Sequence, residues 1–250
     1  MIIAVTNQKG GIGKTTTCLN LAACAALEGK KTCLIDLDPQ ANLTKTLVQL
    51  PEGQPTIYDV LNYFSKLPEV ILETSMQNLY LVSSRSNLAG LERAGAEDPS
   101  LPYWLSRELK PHADKFDLIF IDTPPTLGAL TINALTAATH LLVPVQPSFL
   151  PLQGTNDLLE TYRLVQARFN LDLELLGVLI TMYDPRTTLA KEAIAEIQNA
   201  FEEKVFRTKI RRSIKIEESP ASGQSVLTYA PKSQGAEDYL RAYWELMKRA

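Results

Sequence analysis

Ten residues near the start constrain this chain more than anything else in it. Asn7-Gln8-Lys9-Gly10-Gly11-Ile12-Gly13-Lys14-Thr15-Thr16 follows a short apolar run (IIAVT, 2–6) and opens a helical pattern over 15–28. Glycines between a strand and a helix let backbone N–H groups point inward, and the helix N-terminus adds partial positive charge, so such a loop cradles phosphate. Lys14 stands where a lysine reaches β- and γ-phosphate oxygens, and Thr15 where a hydroxyl ligates Mg2+. The common spacing G-x-x-x-x-G-K-[ST] is not met, because its first glycine would fall at Gln8. The chain has K-G-G-x-G-K-T instead, with a second lysine, Lys9, ahead of the glycines. This is the deviant Walker A form.

Beyond that loop, apolar runs and helical patterns alternate. TCLIDL (32–37), LYLV (79–82), LIFID (118–122), LLVPV (141–145) and LLGVLI (175–180) read as short buried strands. Helices are expected near 56–65, 100–110, 128–138, 152–169, 187–201 and 232–249. Strands alternating with helices predict a doubly wound α/β fold, a mostly parallel sheet flanked by helices on both faces. Loop signals fall at 51–55, 95–102, 144–154 and 219–224, none long enough for a linker, and Gly29 suits the end of the first long helix. One domain, 1–250, is therefore expected. The composition is that of an ordinary globular chain, 45% hydrophobic and 21% charged.

Other chemistries find little support. The three cysteines, Cys18, Cys24 and Cys33, include no C-x-x-C pair and read as small buried hydrophobes. Two histidines, His112 and His140, stand far from any metal-ligand spacing. No run approaches the ~18 apolar residues of a membrane span. MIIAVTNQ lacks the basic start and cleavage site of a secretory signal, so a cytoplasmic protein is expected.

Acids close two of the strands. Asp36 ends the second strand, Asp38 follows it, and Asp122 ends the apolar part of FDLIFIDTPP (116–125). Carboxylates at strand C-termini line the crevice in which such sheets bind ligands. An acid in the place of Asp122 holds Mg2+ through water, as in other phosphoryl-transfer sites. Taken with KGGIGKTT (9–16), LIDLDPQANLT (34–44), FDLIFIDTPPTLGALTINAL (116–135), TMYDPRT (181–187) and SPASGQSVLTYAPKSQGAEDYL (219–240), the chain resembles the ParA/Soj family of deviant Walker ATPases, which also holds MinD. The resemblance covers nearly the whole length. It implies a P-loop ATPase that uses ATP and Mg2+, yields ADP and phosphate, and has weak intrinsic activity. It implies that Asp38 orients the attacking water and that Asp36, with Thr15 and Asp122, lies near the metal. Lys9 would cross to the nucleotide of a second subunit, so that Lys9, Lys14 and Asp38 carry catalysis in an ATP-sandwich homodimer. The nucleotide would be held by Lys9, Gly10, Gly11, Gly13, Lys14, Thr15 and Thr16. The stretch 181–187 and the loop near Ile210–Ser213 would border the adenine through Met182 and Arg211.

Residues 204–215, KVFRTKIRRSIK, carry six basic side chains and no acid, with Glu202, Glu203, Glu217 and Glu218 on the flanks. In an extended segment Arg207, Lys209 and Arg211 would share one face. Such a patch binds phosphate backbones without reading sequence. The resemblance implies non-specific double-stranded DNA contacts here, on Arg212, Lys215 and Lys232. Where relatives usually read Ile-Pro-Arg-Asn, this chain has Ile210-Arg211-Arg212-Ser213, which adds charge where a proline would contact the adenine. With a net charge of −3 the whole chain is not balanced as a nucleic-acid binder, but a dimer presents two patches at once. The resemblance thus implies a nucleoid-associated ATPase that positions or segregates a cargo (plasmid, chromosome or protein organelle) with a ParB-like or cargo adaptor that stimulates hydrolysis. The alternatives are a MinD-like membrane-cycling ATPase and a metabolic ATP-dependent ligase on the same scaffold. The last helix places Tyr239, Leu240, Tyr243, Trp244 and Met247 on one face and Glu237, Asp238, Arg241, Glu245 and Lys248 elsewhere. That mixture of acids and bases favours a docked helix over a membrane-binding one. An iron–sulfur relative would need a cysteine pair near 116–135, and there is none. The chain opens at the phosphate-loop strand, so operator reading by an N-terminal extension is not expected.

Overall fold

In the computed structural model the strands are β1 (Ile2–Val5), β2 (Thr32–Asp36), β3 (Ile71–Glu73), β4 (Leu79–Val82), β5 (Leu118–Asp122), β6 (His140–Val145), β7 (Glu174–Tyr183) and β8 (Val205–Arg211); all but β3 and β8 coincide with the expected apolar runs. They form one sheet in the order β3-β4-β2-β5-β1-β6-β7-β8. Every pairing is parallel except β3 with β4. The structure describes residues 1–94, 98–148 and 155–250, leaving aside the side chains at 92–94 and 155. Parts of two expected loops, 95–97 and 149–154, and the start of the helix expected from 152 lie outside the described residues.

The central strands are apolar at nearly every position because both faces are covered. Ile2 and Ala4 join the core on one face, and Ile3 and Val5 join the core on the other. The Ile3 face is covered by α1 (Lys14–Leu27), α2 (Asn42–Leu47), α10 (Val226–Tyr229) and α11 (Gln234–Arg249). The Ile2 face is covered by α3 (Ile57–Leu61), α5 (Trp104–Leu109), α6 (Ala129–Ala137), α7 (Thr155–Arg168) and α8 (Thr188–Phe201). Two short helices, α4 (Ala89–Ala94) and α9 (Ile214–Glu218), complete the described set. All three cysteines are buried free thiols. Helix α1 closes as expected at Gly29: its N–H donates to Ala26 O at 3.0 Å and that of Lys30 to Ala25 O at 3.0 Å, the paired bonds of a Schellman motif.

Register brings the acids together. Asp36 on β2 lies opposite Asp122 on β5, which lies opposite Val5 on β1, just before the phosphate loop. At the far side, β8 would be an open edge, and α11 covers it. The Glu245 carboxylate accepts from Arg207 N (2.8 Å) and Thr208 N (2.9 Å), and Asp238 accepts from Arg211 N (3.0 Å). Arg249 donates to the carbonyls of Glu203, Lys204 and Val205. These contacts remove the donors that invite edge-to-edge pairing. The last helix is docked, as expected, with Tyr239, Tyr243 and Leu246 buried. Its faces differ from the expectation in two places: Asp238 is only 2% exposed because it pairs with Arg211, and Trp244 is 48% exposed. Among the described residues no helix is long and apolar enough to cross a membrane.

Candidate functional site

The loop between β1 and α1 takes the shape that its glycines permit. Gly11 (φ 71°) and Gly13 (φ 87°) adopt left-handed backbone, which side chains disfavour, and Gly13 caps α1. Buried neighbours brace the loop. Asn7 Nδ2 donates to Pro144 O (2.8 Å), Asn7 Oδ1 accepts from Lys9 N (3.1 Å), and Thr181 Oγ1 donates to Ile12 O (2.7 Å). The loop is thereby fixed to β6 and β7.

The two lysines diverge. Lys14 is 7% exposed, and its ammonium curls back to donate to Lys9 O at 3.0 Å. Burial lowers its pKa, with Asp122 and Asp38 pulling it back up. Lys9 is exposed, and its ammonium donates to Ser148 Oγ at 3.0 Å, on the loop after β6.

The three acids occupy distinct roles in the hydrogen-bond network. Asp36 is fully buried; Oδ1 accepts from Asp38 N (3.0 Å), and Oδ2 accepts from Thr44 N (2.9 Å) and Thr44 Oγ1 (2.7 Å). Burial pushes its carboxyl up to about 6 despite these donors. Asp38 sits in a tight turn: Oδ1 accepts from Gln40 N (2.8 Å), and its carbonyl accepts from Ser84 Oγ (2.9 Å). Its other carboxylate oxygen makes no hydrogen bond among the described residues. Asp122 lies with Oδ1 3.9 Å from the Cys18 thiol, while Oδ2 is buried without a hydrogen-bond partner of full geometry. Burial first, and the neighbouring Asp36 charge second, hold its pKa well above the ordinary carboxylate range; the Thr15 hydroxyl acts in the opposite direction.

An orphaned carboxylate oxygen beside a threonine hydroxyl and a buried lysine fits Mg2+ with its waters. Among the described residues no group of three or more His, Cys, Asp or Glu side chains forms a metal cage. Mg2+ characteristically keeps several waters and takes one or two carboxylates plus substrate phosphates, which is the donor set available here.

A cavity of about 240 Å³ opens beside Gly13 and Thr16 and is walled by Thr181, Met182, Ile210 and Arg211. Met182 (φ 53°) is held in left-handed backbone at the end of β7 and faces the loop glycine. Arg211 lines the cavity, but its guanidinium is committed: Nε donates to Asp238 Oδ2 (2.9 Å) and an Nη donates to Asp238 Oδ1. Beyond it, Arg212 Nε reaches Glu217 at 3.4 Å, Lys215 Nζ reaches Glu218 at 2.9 Å, and Lys232 is exposed. The geometry thus gathers Lys14, Thr15, Asp36, Asp38 and Asp122 at one site, sets Met182 and Arg211 beside it, and keeps Arg212, Lys215 and Lys232 on the outer surface. Sequence reasoning missed Asn7, Thr44, Ser84 and Thr181. Asn7, Thr44 and Thr181 lie inside the quoted motifs and Ser84 outside them; all four are buried, and burial was the signal that would have given each a role.

Comparison with known proteins places the chain as a whole among its relatives. A family model described as an AAA domain matches residues 1–175. The sporulation initiation inhibitor protein Soj of Bacillus subtilis is 43% identical over 240 residues, 96% of this chain and 95% of that protein. The chromosome-partitioning ATPase Soj of Thermus thermophilus is 42% identical, covering 99% of this chain and 95% of its own. Among solved structures, cobyrinic acid a,c-diamide synthase from Mycobacterium smegmatis with bound ADP and magnesium superposes with a TM-score of 0.86 at 33% identity, over 99% of this chain and 94% of the other. McdA of Cyanothece in complex with ATP superposes with a TM-score of 0.88 at 22% identity, over 99% and 95% of the two chains, a likeness of fold.

Proposed function

The chain belongs to the ParA/Soj family of partitioning and positioning ATPases, and from that premise we propose that it works as an ATP-gated dimer that holds DNA while ATP is bound. It binds ATP and ADP with Mg2+ and hydrolyses ATP. The single observation that carries the proposal is the divergence of the two lysines. Lys14 is buried in its own loop, whereas the Lys9 ammonium is exposed and, among the described residues, tethered only to a serine hydroxyl. A cation so placed is available to a second nucleotide and acts as an arginine finger does, by neutralising charge that develops on the transferred phosphoryl group.

In each half of the proposed dimer the loop N–H groups and Lys14 bind the phosphates. Thr15 ligates Mg2+, and Asp122 and Asp36 hold its waters. Asp36 has a further task, since its two oxygens fix Asp38 N and Thr44 and so aim the Asp38 turn. The free oxygen of Asp38 orients the attacking water. Mg2+ supplies charge neutralisation across the phosphates. Met182 packs on the adenine, and the Asp238-anchored Arg211 walls that pocket. Arg212, Lys215 and Lys232 of both chains contact double-stranded DNA without reading its sequence. Glu217 and Glu218, the present partners of Arg212 and Lys215, are exposed, and exposed ion pairs are weak enough to exchange for phosphates. A ParB-like or cargo adaptor stimulates hydrolysis and releases the dimer from the nucleoid in the cytoplasm. The chain acts as a single ATPase unit, 1–250.

A mixing experiment tests the trans role of Lys9. Lys9→Ala retains ATP but lacks the crossing lysine, and Lys14→Ala lacks ATP but keeps it. Each alone is expected to be inactive, and their mixture is expected to recover turnover. Inactivity of the mixture, or full activity of Lys9→Ala alone, would contradict a trans role.

A further inference from the structure

A second cleft, about 520 Å³, opens on the outer side of the Asp38 turn, between α2 and the loop that follows β4. Its walls include Gln40, Lys45, Val48, Leu50, Arg85 and Ser86, and among the described residues no acidic side chain lines it. Among the described residues both cations are uncompensated: Lys45 Nζ donates only to Gln40 O (2.7 Å), and an Nη of Arg85 donates to Pro51 O. The Arg85 Nε is buried without an acceptor. Among the described residues neither side chain takes part in an ion pair, whereas Arg211, Arg212, Lys215, Arg241 and Arg249 all do. A buried guanidinium donor without an acceptor is costly to leave unmade, and a carboxylate matches its fork. Beside the cations, Val48 and Leu50 are half-buried and present aliphatic surface.

We propose that this cleft binds a partner segment in which a carboxylate stands next to an aliphatic side chain, with Arg85 and Lys45 gripping the carboxylate and Val48 and Leu50 receiving the aliphatic group. A nucleic-acid backbone would satisfy the cations but leave that apolar wall uncovered. The grip reaches the reaction site through main chain. Gln40 holds Lys45 by its carbonyl and Asp38 Oδ1 by its N–H, and Ser84 at the cleft wall donates to Asp38 O. A carboxylate that draws Lys45 away from Gln40 therefore changes the setting of the Asp38 turn and, with it, the rate of hydrolysis. That consequence rests on the role of Asp38 proposed above; the binding itself does not.

The probe is a fluorescein-labelled peptide, Gly-Leu-Glu-Leu-Glu-Leu-Gly, titrated into the full chain and followed by anisotropy. Saturable binding is expected, weakened about tenfold when glutamines replace the glutamates and by a similar factor in Arg85→Gln or Lys45→Gln. Unchanged affinity for a fluorescent ATP analogue shows that the variants are folded. Because Arg85 also braces Pro51, the exposed Lys45 provides a second, independent arm: Lys45→Glu should transfer the preference to the same peptide with lysines. Equal binding of the glutamate and glutamine peptides, or indifference to both substitutions, would overturn the proposal. So would a DNA duplex that loses affinity in Lys45→Gln while the peptide fails to bind. A bound peptide that leaves hydrolysis unchanged would overturn the coupling. Normal hydrolysis by Asp38→Ala would instead count against the role of Asp38 and leave the binding result intact.

Discussion

The ends of the central strands and the solvent-facing side of the β8–α9–α11 edge both carry polar groups, and they handle them in opposite ways. At the strand ends Asn7, Asp36, Thr44 and Thr181 are buried and bond to main chain or to each other. At the edge Arg212, Lys215 and Arg241 are exposed and pair with Glu217, Glu218 and Glu237. Buried networks of the first kind fix one geometry, which is what transferring a phosphoryl group requires. Exposed pairs of the second kind fix little and exchange partners readily, which suits a ligand recognised by charge alone. The comparison teaches that precision and adaptability lie at different sites of the same sheet.

Breaking the buried site should have the largest effect. Lys14→Ala is expected to lose ATP affinity by about a thousandfold, ~4 kcal/mol, in calorimetric titration; tight binding by that variant would remove the phosphate-loop assignment. At the edge, Arg212→Glu together with Lys215→Glu should weaken ATP-dependent binding to a DNA duplex by about a hundredfold and flatten its salt dependence. Self-association should survive, and unchanged DNA affinity at moderate salt would point to another surface. Glu245 sharpens the contrast, because its partners at the edge are backbone amides. Glu245→Ala exposes two donors on β8 and should lower stability in urea by about 1–2 kcal/mol, with nucleotide binding unchanged. A variant as stable as the parent would mean that α11 does not need this carboxylate to cover the strand.

How much of this was legible in the sequence divides along the same line. The central strands and long helices follow from hydrophobic period, because those segments bury whole faces. The acids at 36 and 122 were legible as strand ends, and register places them side by side. Strand β3 escaped because it has three residues, two of them only half-buried, too few to show alternation. Helix α2 escaped because it starts from Ala41 in left-handed backbone (φ 53°) and is held by the Asp36–Thr44 bonds rather than by a local pattern. The pairing of Arg211 with Asp238 joins residues 27 apart in the chain, and nothing local announces it. The basic run from 204 was legible as charge, but its neutralisation by Glu217 and Glu218 required the turn into α9.

Mass measurement by light scattering on Asp38→Ala with saturating ATP and Mg2+ puts the central claim to its most direct test. With hydrolysis blocked, the particle is expected at twice the chain mass, and adding Lys9→Ala to the same protein should return it to the mass of one chain while ATP remains bound. A single-chain mass for Asp38→Ala, or a double mass that persists without the lysine at position 9, would contradict the account.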